Sequence, residues 1–236
     1  MANNISLKLT PPLARDILTG AIRHLGYPGP EAVSDHISAQ IKEGIEECLR
    51  LARVESMCRA TDFSGLEKTA INGNGLRLET VNWTRLAARM IDIRELCCFA
   101  VTLGGAIDDR IRELGKAAML KALMLDAAAS VLAEMYADRI QQEVGRYYRD
   151  KGWQSSARFS PGYCDWPLKE GQEALIPFLR PGTIGIHVSS TGLMIPRKSV
   201  SGAIIAAKTM PTVSPCYLCV RECAHRRSPY EAGGNR

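Results

Sequence analysis

The segment from Lys116 to about Arg149 limits the fold more than any other part of the chain. Its residues are apolar nearly all round over Leu120–Leu132, and charge returns after Glu134. A helix apolar on every side belongs at the centre of a core. The chain must therefore surround one long helix with other elements.

The flanking segments supply them. Ile17, Leu18, Ile22 and Leu25 share one face of a helix over Arg15–Leu25, which Gly26-Tyr27-Pro28-Gly29-Pro30 ends. Pro30 suits the first turn of a second helix reaching about Arg53, with Ile37, Ile41, Ile45 and Leu49 as its apolar stripe. The period then shortens. Thr69-Ala70-Ile71 and Leu76-Arg77-Leu78 flank Asn72-Gly73-Asn74-Gly75 and read as a β-hairpin. Asn82 is placed to cap a short helix over Trp83–Met90. Glu95–Leu103 reads as a buried strand ended by Gly104-Gly105, and Ile107, Ile111 and Leu114 as a short helix stopping near Gly115. Beyond the long helix, Leu168–Leu179 reads as helix, and Thr183–Val188 and Ser199–Ala207 as strands. Helices and strands mix without βαβ alternation, which favours α+β. Three units are expected: an N-terminal helical arm and hairpin over 1–80, a main domain over 81–209, and a Cys-rich tail over 210–236.

Composition excludes several classes. Apolar residues make up 46% of 236, enough for a core, and the net charge of +5 is small and partly C-terminal. There is no basic stripe interleaved with aromatics, so nucleic acid is not an expected partner. No apolar run approaches membrane-spanning length, and Met1–Thr10 has no secretory pattern, so a cytoplasmic location follows by default. Of the eight cysteines, Cys48, Cys97 and Cys98 lie in apolar-periodic segments and read as core. Cys216-x-x-Cys219-x-x-x-Cys223, with His225 two residues on, reads either as a zinc or iron–sulfur site or as a loose thiol-bearing tail. Val101-Thr-Leu-Gly104-Gly105 invites a Rossmann reading. It lacks the further glycines, and helix follows where a second strand is due.

Two stretches carry chemistry. In Arg158-Phe-Ser-Pro-Gly-Tyr163, Arg158 offers a planar fork of donors, and Pro161 and Gly162 shape backbone that a ligand can approach closely. Tyr163 adds a flat ring with a polar tip. A plain Pro-Gly turn would account for the same residues. Ser189–Gly202 is dense in hydroxyls and glycine, with Met194-Ile195-Pro196 as an apolar insert. Its hydroxyls suit either a polar ligand or turns.

In order along the chain, Leu132-Ala133-Glu134-x-x-Ala137-Asp138, Arg158-x-x-Pro161-Gly162-Tyr163 and Met194-x-Pro-x-x-Ser199-Val-Ser201-Gly202 resemble the reactivation domain of cobalamin-dependent methionine synthase. The resemblance covers roughly residues 95–207. It implies a long central helix packed on a mostly antiparallel, bent sheet, and a site for S-adenosylmethionine. Glu134 would face the ligand's α-ammonium group, and Arg158 with Pro161, Gly162 and Tyr163 would hold its carboxylate or adenosine end. Met194, Ser199 and Ser201 would line the site. Cobalamin would come from a partner, since the chain has no Asp-x-His-x-x-Gly corrinoid module. An electron from a flavodoxin-like donor and the methyl group of S-adenosylmethionine would return cob(II)alamin to methylcobalamin. The implied role is a stand-alone reactivation protein for a cobalamin-dependent methionine synthase or another corrinoid protein, an accessory to a methyltransferase reaction. The rival readings are an accessory metalloprotein whose tail passes electrons to a corrinoid protein, and an interaction module that covers the corrinoid face.

Overall fold

The computed structural model describes residues 2–211, 215–220 and 222. Strand β1 (Asn3–Asn4) leads into helices α1 (Ala14–His24) and α2 (Asp35–Leu51). Pro30 opens a separate 3-10 turn, Pro30–Ala32, and not the second helix. That helix starts later because Ser34 caps it, accepting the Ile37 N–H at 3.4 Å. Then come β2 (Glu55–Leu66), the hairpin β3 (Ala70–Gly73) and β4 (Leu76–Glu79), α3 (Val81–Ala87) and β5 (Ile91–Thr102). The cap of α3 is Thr80, not Asn82: its hydroxyl accepts the Trp83 N–H, while the Asn82 N–H goes to Asp165 at 3.0 Å.

Helix α4 (Ala106–Ala117) is followed by α5 (Met119–Asp150), β6 (Gln154–Ser155), α6 (Leu168–Leu179), the pair β7 (His187–Val188) and β8 (Met194–Ile195), and β9 (Ser199–Thr209). The strand expected over Thr183–Val188 survives only at its end. Arg180 takes a left-handed conformation, φ 58°, and Pro181–Ile184 closes into a 3-10 turn.

The main sheet is antiparallel, in the order β4-β3-β2-β5-β9-β6, with β1 on the outer edge of β2. The sequence reading omitted β2, which is central and pairs with β5 from Glu55↔Thr102 to Asp62↔Glu95. Strands β5 and β9 run together from Leu96↔Ile205 to Thr102↔Ser199.

Both faces of this sheet are covered. Cys97, Phe99, Val101, Ile204 and Ala206 belong to the core shared with α1, α2, α4 and α5. Leu96, Cys98, Ala100, Ala203 and Ile205 belong to a second core with Trp83, Trp166, Leu175 and Phe178. Double coverage explains why Leu96–Leu103 shows no polar alternation. Helix α5 buries Leu125, Leu132, Ile140, Val144 and Tyr148. Its first turns depart from the all-apolar expectation: Met119, Leu120 and Leu123 are exposed. Among the described residues no helix is long and apolar enough to cross a membrane.

Candidate functional site

Glu134, Asp138 and Gln141 recur at spacings of four and three along α5 and so share one helical face. The segment 158–163 lies against that face. Phe159 pins it to β9: its N–H donates to the Ala203 carbonyl at 2.9 Å, and the Ala203 N–H donates back at 2.8 Å. Gly202 permits this close docking. A Cβ there would stand 2.9 Å from the Phe99 ring and 2.9 Å from Ser160 Oγ. Phe159 in turn stacks on Trp166, centroids 5.5 Å apart, and packs on Trp83. The loop is held from behind by an aromatic cluster of the second core.

Its polar groups therefore face α5. The Arg158 backbone N–H donates to Gln141 Oε1 at 2.7 Å. The guanidinium donates through Nε to Asp138 Oδ1 at 2.9 Å and through Nη2 to Glu134 Oε2. Tyr163 donates its hydroxyl proton to Glu134 Oε1 at 3.4 Å. Burial works against the Arg158 charge, but Glu134, then Asp138 and Tyr163, outweigh it and hold the guanidinium above its usual pKa. The exposures are unequal: the Arg158 side chain is 0% accessible, those of Glu134 and Asp138 43% and 44%. One buried cation thus anchors two half-exposed carboxylates, and the trio carries a net negative charge toward solvent. Two buried polar atoms beside it lack a partner, Arg158 Nη1 and Ser160 Oγ.

The rest of the loop is a tight turn. Gly162, at φ 91°, donates to the Trp166 carbonyl at 2.8 Å, and Tyr163 N–H to the Ser160 carbonyl at 3.1 Å. Pro161 packs on α6 at Gly171. Beyond Gln141 an open polar cleft of about 330 Å3 runs between α5 and 155–157, past Arg146 and Arg149. Its arginine-bearing wall differs in charge from the carboxylate face.

Glu134, Arg158, Pro161, Gly162 and Tyr163 thus come together. The later segment is used differently. Ser201 donates to Gln172 Oε1 at 3.1 Å inside the protein, and Ser199 donates to the Pro196 carbonyl at 2.7 Å and lies 2.8 Å from Thr102 Oγ1. Met194 is half-buried on the second core. Asp138, Gln141 and Ser160 stand in the same cluster and were not singled out by the sequence reading, although helical spacing from Glu134 points to the first two. Of the cysteine motif, Cys216 is half-buried and Cys219 buried, while Cys223 and His225 lie outside the described residues. Among the described residues no three His, Cys, Asp or Glu side chains stand in metal-site geometry.

Comparison with known proteins sets this geometry in a family. A solved structure of the MetH reactivation domain bound to AdoHcy superposes with a TM-score of 0.63 at 14% identity, over 91% of this chain and 81% of that one. That likeness establishes the shared α+β fold, with its mostly antiparallel sheet. No curated protein matches. The family model for the vitamin B12 dependent methionine synthase activation domain matches residues 87–214, more than half of the chain, including α5, the 158–163 loop and β9. The chain belongs to the vitamin B12 dependent methionine synthase activation domain family.

Proposed function

We propose that the chain binds S-adenosylmethionine between α5 and the 158–163 loop and presents its methyl group to a corrinoid held by another polypeptide. The observation that carries this reading is the trio of Arg158, Glu134 and Asp138, with its cation sealed inside and two carboxylates turned outward. The ligand has an α-ammonium and a sulfonium centre, and both favour a site of net negative charge. In this reading Glu134 and Asp138 accept the ammonium. Arg158 keeps their spacing. Arg158 Nη1 and Ser160 Oγ are buried without a partner beneath the two carboxylates, so a ligand oxygen reaches them only if the 158–163 loop shifts. Tyr163 offers its ring edge beside the same carboxylate.

The protein's task is positioning, and the sulfonium and the partner's cobalt supply the reactivity. The partner is a cobalamin-dependent methionine synthase or a related corrinoid protein, and a flavodoxin-like protein supplies the electron. Exposed Leu193 and Ile195, on and beside β8, offer apolar surface for docking.

Calorimetric titration of the purified chain with S-adenosylmethionine tests the reading. We expect saturable binding that Glu134→Gln and Asp138→Asn each weaken at least tenfold. Absence of binding, with and without the corrinoid partner, or unchanged affinity in both variants, would overturn it. With binding established, the chain should restore methylcobalamin absorbance to an oxidised corrinoid partner only when S-adenosylmethionine and a reductant are both present.

A further inference from the structure

The polar cleft beyond Gln141 has a chemistry of its own. It opens between the last turns of α5 and residues 155–157, with a volume of about 330 Å3. Gly145 forms its floor. Glycine inside a helix is unfavourable, because it loses more backbone freedom on folding than any other residue. Here it leaves a space that polar groups share. A Cβ on Gly145 would stand 3.1 Å from Ser155 Oγ and 3.3 Å from Arg149 Nη1, with no other side chain within 4 Å. A hydroxyl and a guanidinium therefore converge on the space that the glycine keeps open.

These two donors are not used elsewhere. The neighbouring Ser156 has its hydroxyl engaged twice: it donates to the Ala157 carbonyl at 2.9 Å and accepts the Ile205 N–H at 3.0 Å. The Ser155 hydroxyl has no such partner among the described residues, while its backbone is fixed by the pairing of β6 with β9. Arg149 makes no ion pair or hydrogen bond among the described residues, whereas Arg146, one turn back, donates to Glu143 at 2.5 Å. Arg146 and Arg149 both line the cleft, with the amides of Gln141 and Gln142, and no carboxylate residue does. A cation in the last turn of a helix is ordinarily explained by the carbonyls at that end. That explains a charge at Arg149, but not its meeting with Ser155 over a glycine. The carbonyl end of α5 and the exposed Asp150 oppose an anion here, and two guanidinium groups outweigh them.

We propose that this cleft binds a phosphate-bearing small molecule, with the phosphate seated over Gly145 between Arg149, Arg146 and Ser155. A guanidinium presents paired donors in a plane that match phosphate oxygens, and it stays charged. The three terminal oxygens of a phosphate monoester can meet two guanidinium groups and a hydroxyl together, whereas a carboxylate has only two. The cleft is larger than a phosphate group and leaves room beside Gln141 and Gln142 for an organic part. The site does not depend on the S-adenosylmethionine reading. That reading uses the carboxylates of Glu134 and Asp138, whereas this cleft lies about two to three turns further along α5 and uses cations.

Titration of the full chain with inorganic phosphate at fixed ionic strength, followed by phosphorus NMR, tests the proposal. Binding should saturate. Arg149→Gln and Gly145→Ala should each weaken it at least about tenfold, as expected for loss of one charge-assisted contact. The glycine variant separates ligand binding from folding. Its Cβ meets only the ends of side chains, and alanine favours helix, so its thermal midpoint should not fall. Arg112→Gln removes an equal charge from the exposed side of α4 and should leave binding unchanged. Phenyl phosphate should bind more tightly than the free ion, since the cleft extends past the phosphate seat. No saturation by about 10 mM phosphate, affinity unchanged in both cleft variants, an equal loss in Arg112→Gln, or acetate binding as well as phosphate would overturn the proposal. Saturating S-adenosylmethionine should leave the phosphate bound, and its displacement would make the cleft part of that ligand's site and overturn a separate one.

Discussion

Arg158→Ala is the perturbation that most sharply separates support of the site from contact with its ligand. The guanidinium is fully buried and makes two charge-assisted hydrogen bonds, to Glu134 and to Asp138. Such bonds contribute roughly 1.5–3 kcal/mol each, a gross loss of about 3–6 kcal/mol. Water recovers part of it, because the carboxylates are already 43% and 44% accessible and can be hydrated where they stand. Discounting by about half leaves about 1.5–3 kcal/mol. For a chain of this size that lowers the unfolding midpoint by about 3–12 °C. Glu134→Gln keeps the shape and an acceptor at Oε1, so its cost in stability should stay below about 1 kcal/mol. In the ligand titration both variants should bind weakly, the first because its carboxylates have lost their spacing, the second because it has lost a charge. Thermal melts read beside the titration tell the two apart. A midpoint shift below about 1 °C for Arg158→Ala would refute the claim that this cation organises the site, as would a Glu134→Gln variant equally destabilised.

Two further outcomes follow from the packing. Gly202→Ala pushes a methyl group into Phe99 and Ser160 at 2.9 Å, so it should cost about 1–3 kcal/mol and speed amide exchange at Phe159 and Ala203; unchanged exchange there would mean the loop is held otherwise. Stability should also fall steeply on the alkaline side. Burial, opposed only by Lys198, pushes the Cys48 thiol up to about 12, while Cys58 and Cys98 also stay protonated well above 9.0. In the unfolded chain these thiols lose their protons from about pH 9, so above that the folded state binds more protons and each thiol removes about 1.4 kcal/mol of stability per pH unit. Urea unfolding between about pH 8 and about pH 10.5 measures the slope, which Cys48→Ala should reduce; a flat profile would contradict the burial of these thiols.

The helices were legible because their signal is local. Ile17 and Ile22, and Ile41 and Ile45, mark buried faces by spacing alone, and the nearly all-apolar stretch to Leu132 marks the core helix; the folded helices bury those residues. Cys48, Cys97 and Cys98 are core, as their apolar settings suggested. Strand β2 was not legible, and its composition shows why. Arg59 and Asp62 interrupt its apolar pattern, and Arg59 is accommodated by a partner remote in sequence, donating to the Phe178 carbonyl at 2.8 Å. The hairpin beside it could be read from Asn74-Gly75, because a turn is a property of adjacent residues. A central strand between two such neighbours is a property of the whole sheet.

The site divides along the same line. Arg158 and the Pro161–Tyr163 turn stand out by residue type, Glu134 only through the family resemblance, and Asp138 and Gln141 could have been added by counting one and two turns along α5. That Ser199 and Ser201 turn inward could not be foreseen, because it depends on Gln172 and Thr102 lying opposite them in space. The division of labour at the site was hidden for the same reason. An arginine near two acids reads as a ligand for an anion when only the chain is seen. Here the aromatic stack of Phe159 on Trp166 presses the loop onto α5 until the guanidinium is sealed, and what remains accessible is carboxylate. The polarity that a ligand meets is therefore set by which of three charged groups the packing buries. Relieving that packing, and not only changing the charges, should alter what the site binds.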